Sequence, residues 1–110
     1  MSDNRKLNIL GSEYDYIEES PDNDAELIEC DGYVDPYSKR IVVCNDYNEN
    51  AYGAIRDFDA YKAKIKRHEC IHAFLHESGM SEWQNDEKLV DFLAIQIPKM
   101  LKAFQEVDAI

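Results

Sequence analysis

The sequence predicts a single α+β domain, residues 1–110, in which a short antiparallel or mixed N-terminal sheet precedes two long helices. The first half of the chain alternates short apolar runs with turn residues, whereas the second half repeats apolar residues every three or four positions. A chain of 110 residues has the size of one domain, and no repeat or linker rich in Pro, Gly and Ser divides it.

Four short segments of the first half have strand patterns. The first alternates apolar and polar residues and stops at Gly11-Ser12, so that the second can return beside it as a hairpin. The fourth is the strongest candidate because it is rich in β-branched residues. Residues 45–50 are predicted as a polar loop, and residues 51–56 fit neither class. In chain order, the predicted strands are Leu7–Leu10, Tyr14–Ile17, Leu27 to Gly32, and Lys39–Cys44.

Two amphipathic helices are predicted in the second half. The first begins at Asp57 or Asp59, either of which can cap the free amide groups, and it ends before Gly79. The second begins near Asn85, and we expect Pro98 to kink or restart it because proline supplies no amide hydrogen. Its apolar face carries Val90, Leu93, Ala94 and Ile97.

Charge and composition argue against two classes of partner. The net charge is −11, and residues 1–36 carry 11 acidic and 2 basic side chains, a net of −9. Phosphate backbones repel such a surface, so we expect no direct nucleic-acid binding. No apolar run approaches the ~20 residues that cross a membrane, and no stretch resembles a signal peptide, so we expect neither feature. Three cysteines without a C-x-x-C pair fit a reducing compartment, so we expect a cytoplasmic protein, taken as a monomer.

The stretch HECIH, residues 68–72, is the most informative about chemistry. Histidines four apart lie on one face of a helix, about 6 Å apart along its axis, so both rings can reach one zinc ion. A glutamate directly after the first histidine lies beside that face, where it can act on a bound water. The pattern predicts Zn²⁺ held by His68 and His72, with Glu69 as the catalytic base. A metal-free pair of buried histidines is the costlier alternative.

The second helix is expected to supply the third ligand. Glu87 and Asp91 lie four apart, and both border the face predicted to pack on the first helix. We expect Glu87 to bind the metal and Asp91 to accept the outer N–H of a zinc-bound histidine. The alternative is an ordinary acidic helix N-terminus. His76 is a poorer ligand candidate because it lies about 12 Å along the axis from His68.

HExxH followed by E-x-x-x-D on the next helix resembles the gluzincin branch of the zincin metallopeptidases. More narrowly, residues 57–104, with HECIHAFLHESGM and EKLVDFLAIQIPKMLKAF, are similar to small metallopeptidases encoded by phages and integrated elements of Gram-positive bacteria. The resemblance implies a zincin-like core, with a sheet edge beside the cleft, an HExxH helix and a ligand-bearing helix. The residues that match the family pattern are His68, Glu69, His72, Glu87 and Asp91.

The hypothesis that results is zinc-dependent hydrolysis of a peptide or protein, as in a metalloendopeptidase. Glu69 takes a proton from a zinc-bound water and passes it to the leaving amine, and the substrate pairs with the strand Lys39–Cys44. Tyr52, Tyr61 and His76 are the candidates for stabilising the oxyanion. Two alternatives remain: a non-catalytic, zinc-stabilised protein whose acidic N-terminal third blocks a host factor, and a purely structural zinc site.

Overall fold

The computed structural model describes residues 3–46 and 57–110. Most of the predicted loop 45–50, the segment 51–56 and the oxyanion candidate Tyr52 lie outside these ranges. The described residues form an α+β fold, as predicted, with a four-stranded mixed sheet followed by helices. None of the helices in these ranges has both the length and the apolar character needed to cross a membrane.

The sheet and helices lie close to the predicted positions, apart from the third strand and two short helical turns, Ala25–Ile28 and Ser81–Gln84, that the sequence did not predict. β1 and β2 form the expected hairpin, and its two connecting residues, Leu10 and Gly11, have φ angles of 51° and 94°, as two-residue hairpin turns require. The strands are β1 (Asp3–Ile9), β2 (Ser12–Glu19), β3 (Gly32–Asp35) and β4 (Arg40–Cys44); the helices are α1 (Phe58–Glu77), α2 (Ser81–Gln84) and α3 (Glu87–Glu106).

The third strand begins where the prediction for residues 27–32 placed its end. Ala25–Ile28 instead form a turn of 3-10 helix, whose cap Asp24 accepts a hydrogen bond from the Glu26 amide at 3.1 Å. A capping aspartate stabilises such a turn locally, and two adjacent apolar residues are too short a run to define a strand against it. β3 therefore starts only at Gly32.

The strand order is β1-β2-β4-β3, which puts β4 in the interior of the sheet. β4 pairs in parallel with β2 on one side and antiparallel with β3 on the other. The prediction that Lys39–Cys44 pairs with substrate is therefore wrong, because both of its edges are already hydrogen-bonded. The run Ile41–Cys44 is at most 4% exposed, and a continuous apolar run of this kind suits a strand covered on both faces.

α1 lies between the sheet and α3. Ile65 and Ala73 pack with the sheet residues of the main hydrophobic cluster, while Ile71 packs on Val90 and Ala94 of α3. Asp57 is the N-cap, since its side chain accepts a hydrogen bond from the Ala60 amide at 3.0 Å. The helix ends before Gly79, which has a φ of 78°, so both predicted boundaries of α1 are confirmed.

α3 continues through Pro98 as one helix, so it does not restart there. A proline cannot donate to the carbonyl four residues earlier, which here belongs to Ala94. Arg67 of α1 donates from Nε to that carbonyl oxygen at 2.7 Å. The side chain of one helix thus replaces the amide that the other helix lacks, and this contact fixes α3 against α1.

Candidate metal centre

The two motif histidines lie in the groove between the sheet and α3. α1 is apolar on two sides: Ile65 and Ala73 face the sheet, and Ile71 faces α3. His68 and His72 lie between these sides, each with a side chain 16% exposed, and their ring centroids are 4.9 Å apart. The spacing of four brings both rings to the same opening, as predicted.

The carboxylate of Glu87 contacts both histidines. Its Oε2 lies 3.1 Å from His68 Nε2, and its Oε1 lies 2.9 Å from His72 Nε2. One ligand atom from each of the three residues lies within 4.8 Å of the others. Without an ion, the same atoms are ordinary hydrogen-bonding partners. The structure thus brings together the predicted ligand set.

The donor set fits zinc in chemistry, and its atoms lie somewhat closer together than the ligands of a zinc ion do. Two imidazole nitrogens and one carboxylate oxygen are typical of zinc sites that leave a fourth position open. In a tetrahedral shell with bonds of about 2.1 Å, neighbouring ligand atoms lie about 3.4 Å apart. The two oxygens of Glu87 lie 2.9 and 3.1 Å from the histidine nitrogens, which is shorter than this value, so the side chains would have to move apart to admit an ion.

The outer nitrogens of the two histidines have different partners. His72 Nδ1 donates to the backbone carbonyl of Gln84 at 2.8 Å, so Nε2, which faces Glu87, is the ring nitrogen that could bind a metal. His68 Nδ1 lies 3.6 Å from Asp91 Oδ1. Asp91 is thus placed beside the histidine as predicted, but this distance exceeds a hydrogen bond, and the same oxygen pairs with Lys64 at 3.1 Å. Nothing in the sequence indicated Gln84, because its contact uses the backbone.

Glu69 is more deeply buried than the sequence predicts. Its side chain faces the sheet and is 7% exposed, and no described residue donates a hydrogen bond to it. A Cβ added to Gly32 would lie 2.9 Å from Glu69 Cγ and 3.0 Å from the carbonyl oxygen of Val42, so this approach requires a glycine. Burial, and then the nearby Glu87 and Asp31 carboxylates, raise the pKa of Glu69 to about 7.

A pocket of about 690 Å³ contains all five predicted site residues. His76 also lines it; its Nδ1 donates to Gln84 Oε1 at 3.0 Å, and its ring meets the edge of Tyr37. Tyr61 is not in the pocket wall, and its hydroxyl donates to Asp31. Of the oxyanion candidates that the structure describes, only His76 faces the pocket. The predicted site residues in the pocket wall are His68, Glu69, His72, Glu87 and Asp91.

No protein-family model, curated protein or solved structure matched this chain. The resemblance to gluzincins therefore rests on the motif residues, and the geometry of the pocket has to carry the functional argument. That geometry is specific in one respect: residues from α1, α3, β3 and α2 converge on one opening. Only the contributions of α1 and α3 follow a pattern that can be recognised in the sequence.

Glu77, at the end of α1, stabilises the fold and does not line this pocket. Its carboxylate accepts hydrogen bonds from Ser12 Oγ at 2.5 Å, Tyr14 OH at 2.7 Å and Lys39 Nζ at 2.8 Å. Lys39 first, and then the two hydroxyl groups, lower the pKa of Glu77 to about 2. The carboxylate fastens the end of α1 to β2 and to the residue that precedes β4.

Proposed function

We propose that this protein is a zinc-dependent peptidase with a zincin-like site, as the motif residues suggest. The observation that carries the proposal is the combination of two carboxylates in one pocket. Glu87 contacts Nε2 of both histidines, while Glu69 is buried beside them without a donor among the described residues. The first arrangement suits metal binding, and the second suits proton transfer.

The residues around the proposed ion divide into ligands and positioning groups. His68, His72 and Glu87 would hold the zinc, and the Gln84 carbonyl holds His72 by Nδ1, so that Nε2 is the ring nitrogen that could bind it. Asp91 lies beside the outer nitrogen of His68. When bound, zinc would supply a Lewis acid that polarises the scissile carbonyl and makes water more acidic.

Glu69 is the proposed general base. It would take a proton from the attacking water and deliver it to the nitrogen of the leaving amine. A carboxylate that already accepted several strong hydrogen bonds would be a weak base, because those bonds stabilise its charged form. Glu69 accepts none from the described residues, so its basicity is retained for the reacting proton.

β3, rather than β4, is the strand proposed to pair with substrate. Among the described residues it forms an edge of the sheet, since its only partner there is β4. Gly32, Tyr33 and Val34 of β3 also line the pocket. An extended peptide that adds to this edge would lie across the face of Glu69, so the substrate class is a peptide or a protein segment in an extended conformation.

The alternative, an acidic binding protein, receives less support from the contacts of its acidic residues. Glu18 Oε2 is hydrogen-bonded to the Tyr16 hydroxyl and paired with Lys66 at 3.1 Å, and its side chain is only 16% exposed. Asp24 caps the 3-10 turn and accepts a hydrogen bond from Tyr33. Acidic groups engaged in this way stabilise the N-terminal third and are less available to a partner.

Metal content tests the proposal. Purified protein, measured by inductively coupled plasma mass spectrometry, should contain one zinc per chain, and a chelator should remove the metal and lower the melting temperature. His72→Ala should abolish stoichiometric zinc. His76→Ala is the matched control, since it removes a histidine from the same pocket but outside the ligand set. A protein that is metal-free and equally stable with and without chelator would contradict the proposal.

A functional assay in the native host separates the peptidase from the binder. Glu69→Gln keeps the shape of the side chain, so it should abolish the effect of an enzyme and spare that of a binding protein. Reversing the charges of the exposed residues Asp22 and Glu29 should do the opposite. An effect that survives Glu69→Gln but not the charge reversals would favour the binding function.

A further inference from the structure

The second half of α3 carries an apolar stripe that the described residues leave exposed. All residues of the range 97–110 are exposed, although the helix continues to Glu106. In the first half, by contrast, Val90 and Ala94 are fully buried and pack with Ile71 of α1. The apolar side of a surface helix normally faces a hydrophobic core. Among the described residues, the second half therefore lacks the cover that the first half has.

The stripe continues the buried side of α3 in the same direction. With about 100° of rotation per residue, its five side chains fall within a sector of about 120°, and Val90 and Leu93 fall within the same sector. A single apolar side thus runs along the whole helix, and α1 covers its first half. The residues of the stripe are Ile97, Met100, Leu101, Phe104 and Val107.

The charged side chains of the second half lie away from the stripe. Lys99, Lys102 and Glu106 fall within about 40° of the direction opposite to its centre. Residues 96–107 carry two basic side chains and one acidic side chain, a net charge of +1, whereas the whole chain has −11. Two copies can therefore approach here without the repulsion that acidic surfaces would cause. The residues that border the stripe are uncharged: Gln96, Ala103 and Gln105.

The stripe has the size of a small interface between two copies. Its residues are between 37% (Ile97) and 72% (Val107) exposed, which corresponds to roughly 400 Å² of apolar surface per chain. With the bordering residues, a pair of chains would bury about 1,000 Å² in total, the lower limit for a specific interface. A different protein is normally selected by charges around an apolar patch, and this border has none. Two copies that face each other through the same surface need no such charges.

The acidic sheet favours an antiparallel pair over a parallel one. The buried residues of α3 lie in its first half, so the rest of each domain lies toward that end of the helix. An antiparallel pair that overlaps over residues 97–107 places the two domains at opposite ends of the paired helices. A parallel pair would bring together two segments 1–36, each with a net charge of −9, and like charges at short distance repel each other.

We propose that two copies of this chain associate through the second half of α3 as an antiparallel helix pair, with the stripe in the interface. No residue of the stripe lines the candidate metal centre, so the stripe and the pocket are separate surfaces. The inference is therefore independent of the proposed peptidase function, and it replaces the monomer expected from the sequence. An interface of about 1,000 Å² without charged pairs predicts weak association, with a dissociation constant of about 1–100 µM.

Sedimentation velocity at protein concentrations of about 5–500 µM tests the association, and the wild type should pass from monomer to dimer over this range. Leu101→Glu places a charge in the stripe and should raise the dissociation constant about tenfold or more. Ile95→Glu is the matched control and should dimerise as the wild type does, because Ile95 is 40% exposed, like Leu101 at 41%, but lies on the opposite side of α3. Melting temperatures at the lowest concentration show whether both variants fold. A wild type that stays monomeric at the highest concentration, or equal dissociation constants for the two variants, would overturn the inference.

Disulfide trapping tests the direction of the pair. Ile97→Cys and Val107→Cys, each combined with Cys30→Ser to remove the exposed native thiol, are mixed and oxidised with diamide. In an antiparallel pair, residue 97 of one copy faces residue 107 of the other, so disulfides between the two variants should predominate. A predominance of disulfides within each variant would contradict the antiparallel arrangement.

A lipid surface is the competing occupant of the stripe, and flotation with phosphatidylcholine vesicles tests it. At concentrations where the dimer forms, the wild type should remain in the unbound fraction, because the partner copy covers the stripe. Flotation of the wild type that Leu101→Glu abolishes would assign the stripe to a membrane and overturn the inference.

Discussion

Glu69 and Glu77 lie on the same helix about two turns apart, yet their surroundings are opposite. Glu77 accepts three hydrogen bonds, and its pKa is lowered to about 2. Glu69 accepts none from the described residues, and its pKa is raised to about 7. The same side chain is a structural anchor where donors surround it and a candidate base where they are absent.

The difference arises from what each glutamate meets on the sheet. Glu77 reaches Ser12, Tyr14 and Lys39, all of which can donate. Glu69 meets Gly32, which has no side chain and lets the carboxylate lie against the strand. A local pattern does not distinguish these cases, because both glutamates occupy ordinary helical positions. Their roles come from residues far away in the chain.

The largest expected effect comes from removing the carboxylate charge of Glu69 and, separately, that of Glu77. Glu69→Gln should lower the rate of peptide hydrolysis roughly 10²–10⁴-fold, the usual loss for a general base, with zinc content and melting temperature retained. Glu77→Gln should lower the melting temperature and leave the rate per folded molecule near that of the wild type. Peptide turnover measures the rate of hydrolysis, and thermal unfolding followed by circular dichroism measures the melting temperature. Equal rates for Glu69→Gln and the wild type would refute the assignment of the base.

Gly32→Ala should displace the Glu69 side chain while leaving its carboxyl group chemically unchanged. The new methyl group would lie 2.9 Å from Glu69 Cγ and 3.0 Å from the Val42 carbonyl oxygen, so the backbone and the base must both move. We expect a destabilisation of about 1–3 kcal/mol, typical of overpacking, together with slower hydrolysis.

Gly79→Ala is the control for this substitution. The added Cβ would meet no atom within 4 Å, but the φ of 78° is strained for any residue with a side chain. This strain costs about 1–2 kcal/mol. Urea denaturation should therefore show a loss of stability in both variants, and peptide turnover should fall only in Gly32→Ala. A loss of turnover in both would mean that stability alone explains it.

Arg67→Ala should show that α1 also anchors α3 through a satisfied polar group. The Ala94 carbonyl would lose its donor at a residue that is 0% exposed, which costs about 1–3 kcal/mol. Pro98→Ala supplies the missing amide, so the double variant should recover most of this stability. Urea denaturation of the two single variants and the double variant measures the coupling. If the changes in stability of the two single variants simply add in the double variant, the two residues act independently.

The smallest expected effect is a pH dependence that belongs to Glu77. Its pKa is lowered on folding, so its ionised form stabilises the protein above the usual pKa near 4.5, and this contribution is lost as pH falls toward 2. Melting temperatures recorded from pH 7 to pH 2.5 should fall more steeply in the wild type than in Glu77→Gln. Parallel curves would show that the carboxylate does not anchor α1.

The sequence predicted the features that depend on neighbours along the chain. The α+β fold class, the hairpin, and both boundaries of α1 follow from local patterns. So does the shared face of His68 and His72, because helical geometry alone sets the relation of residues four apart. The approach of Glu87 was also predicted, since its position on α3 required only that the two helices pack on their apolar faces.

The tertiary structure decided everything that joins distant segments. Among the described residues it made β3 an edge of the sheet, placed Gly32 against Glu69, and brought the Gln84 carbonyl to His72. A carbonyl oxygen or a missing Cβ has no residue pattern that a sequence can display, and an edge strand is defined only by what fails to pair with it. The grouping of His68, His72 and Glu87 was therefore predictable, whereas the surroundings that distinguish Glu69 from Glu77 were not.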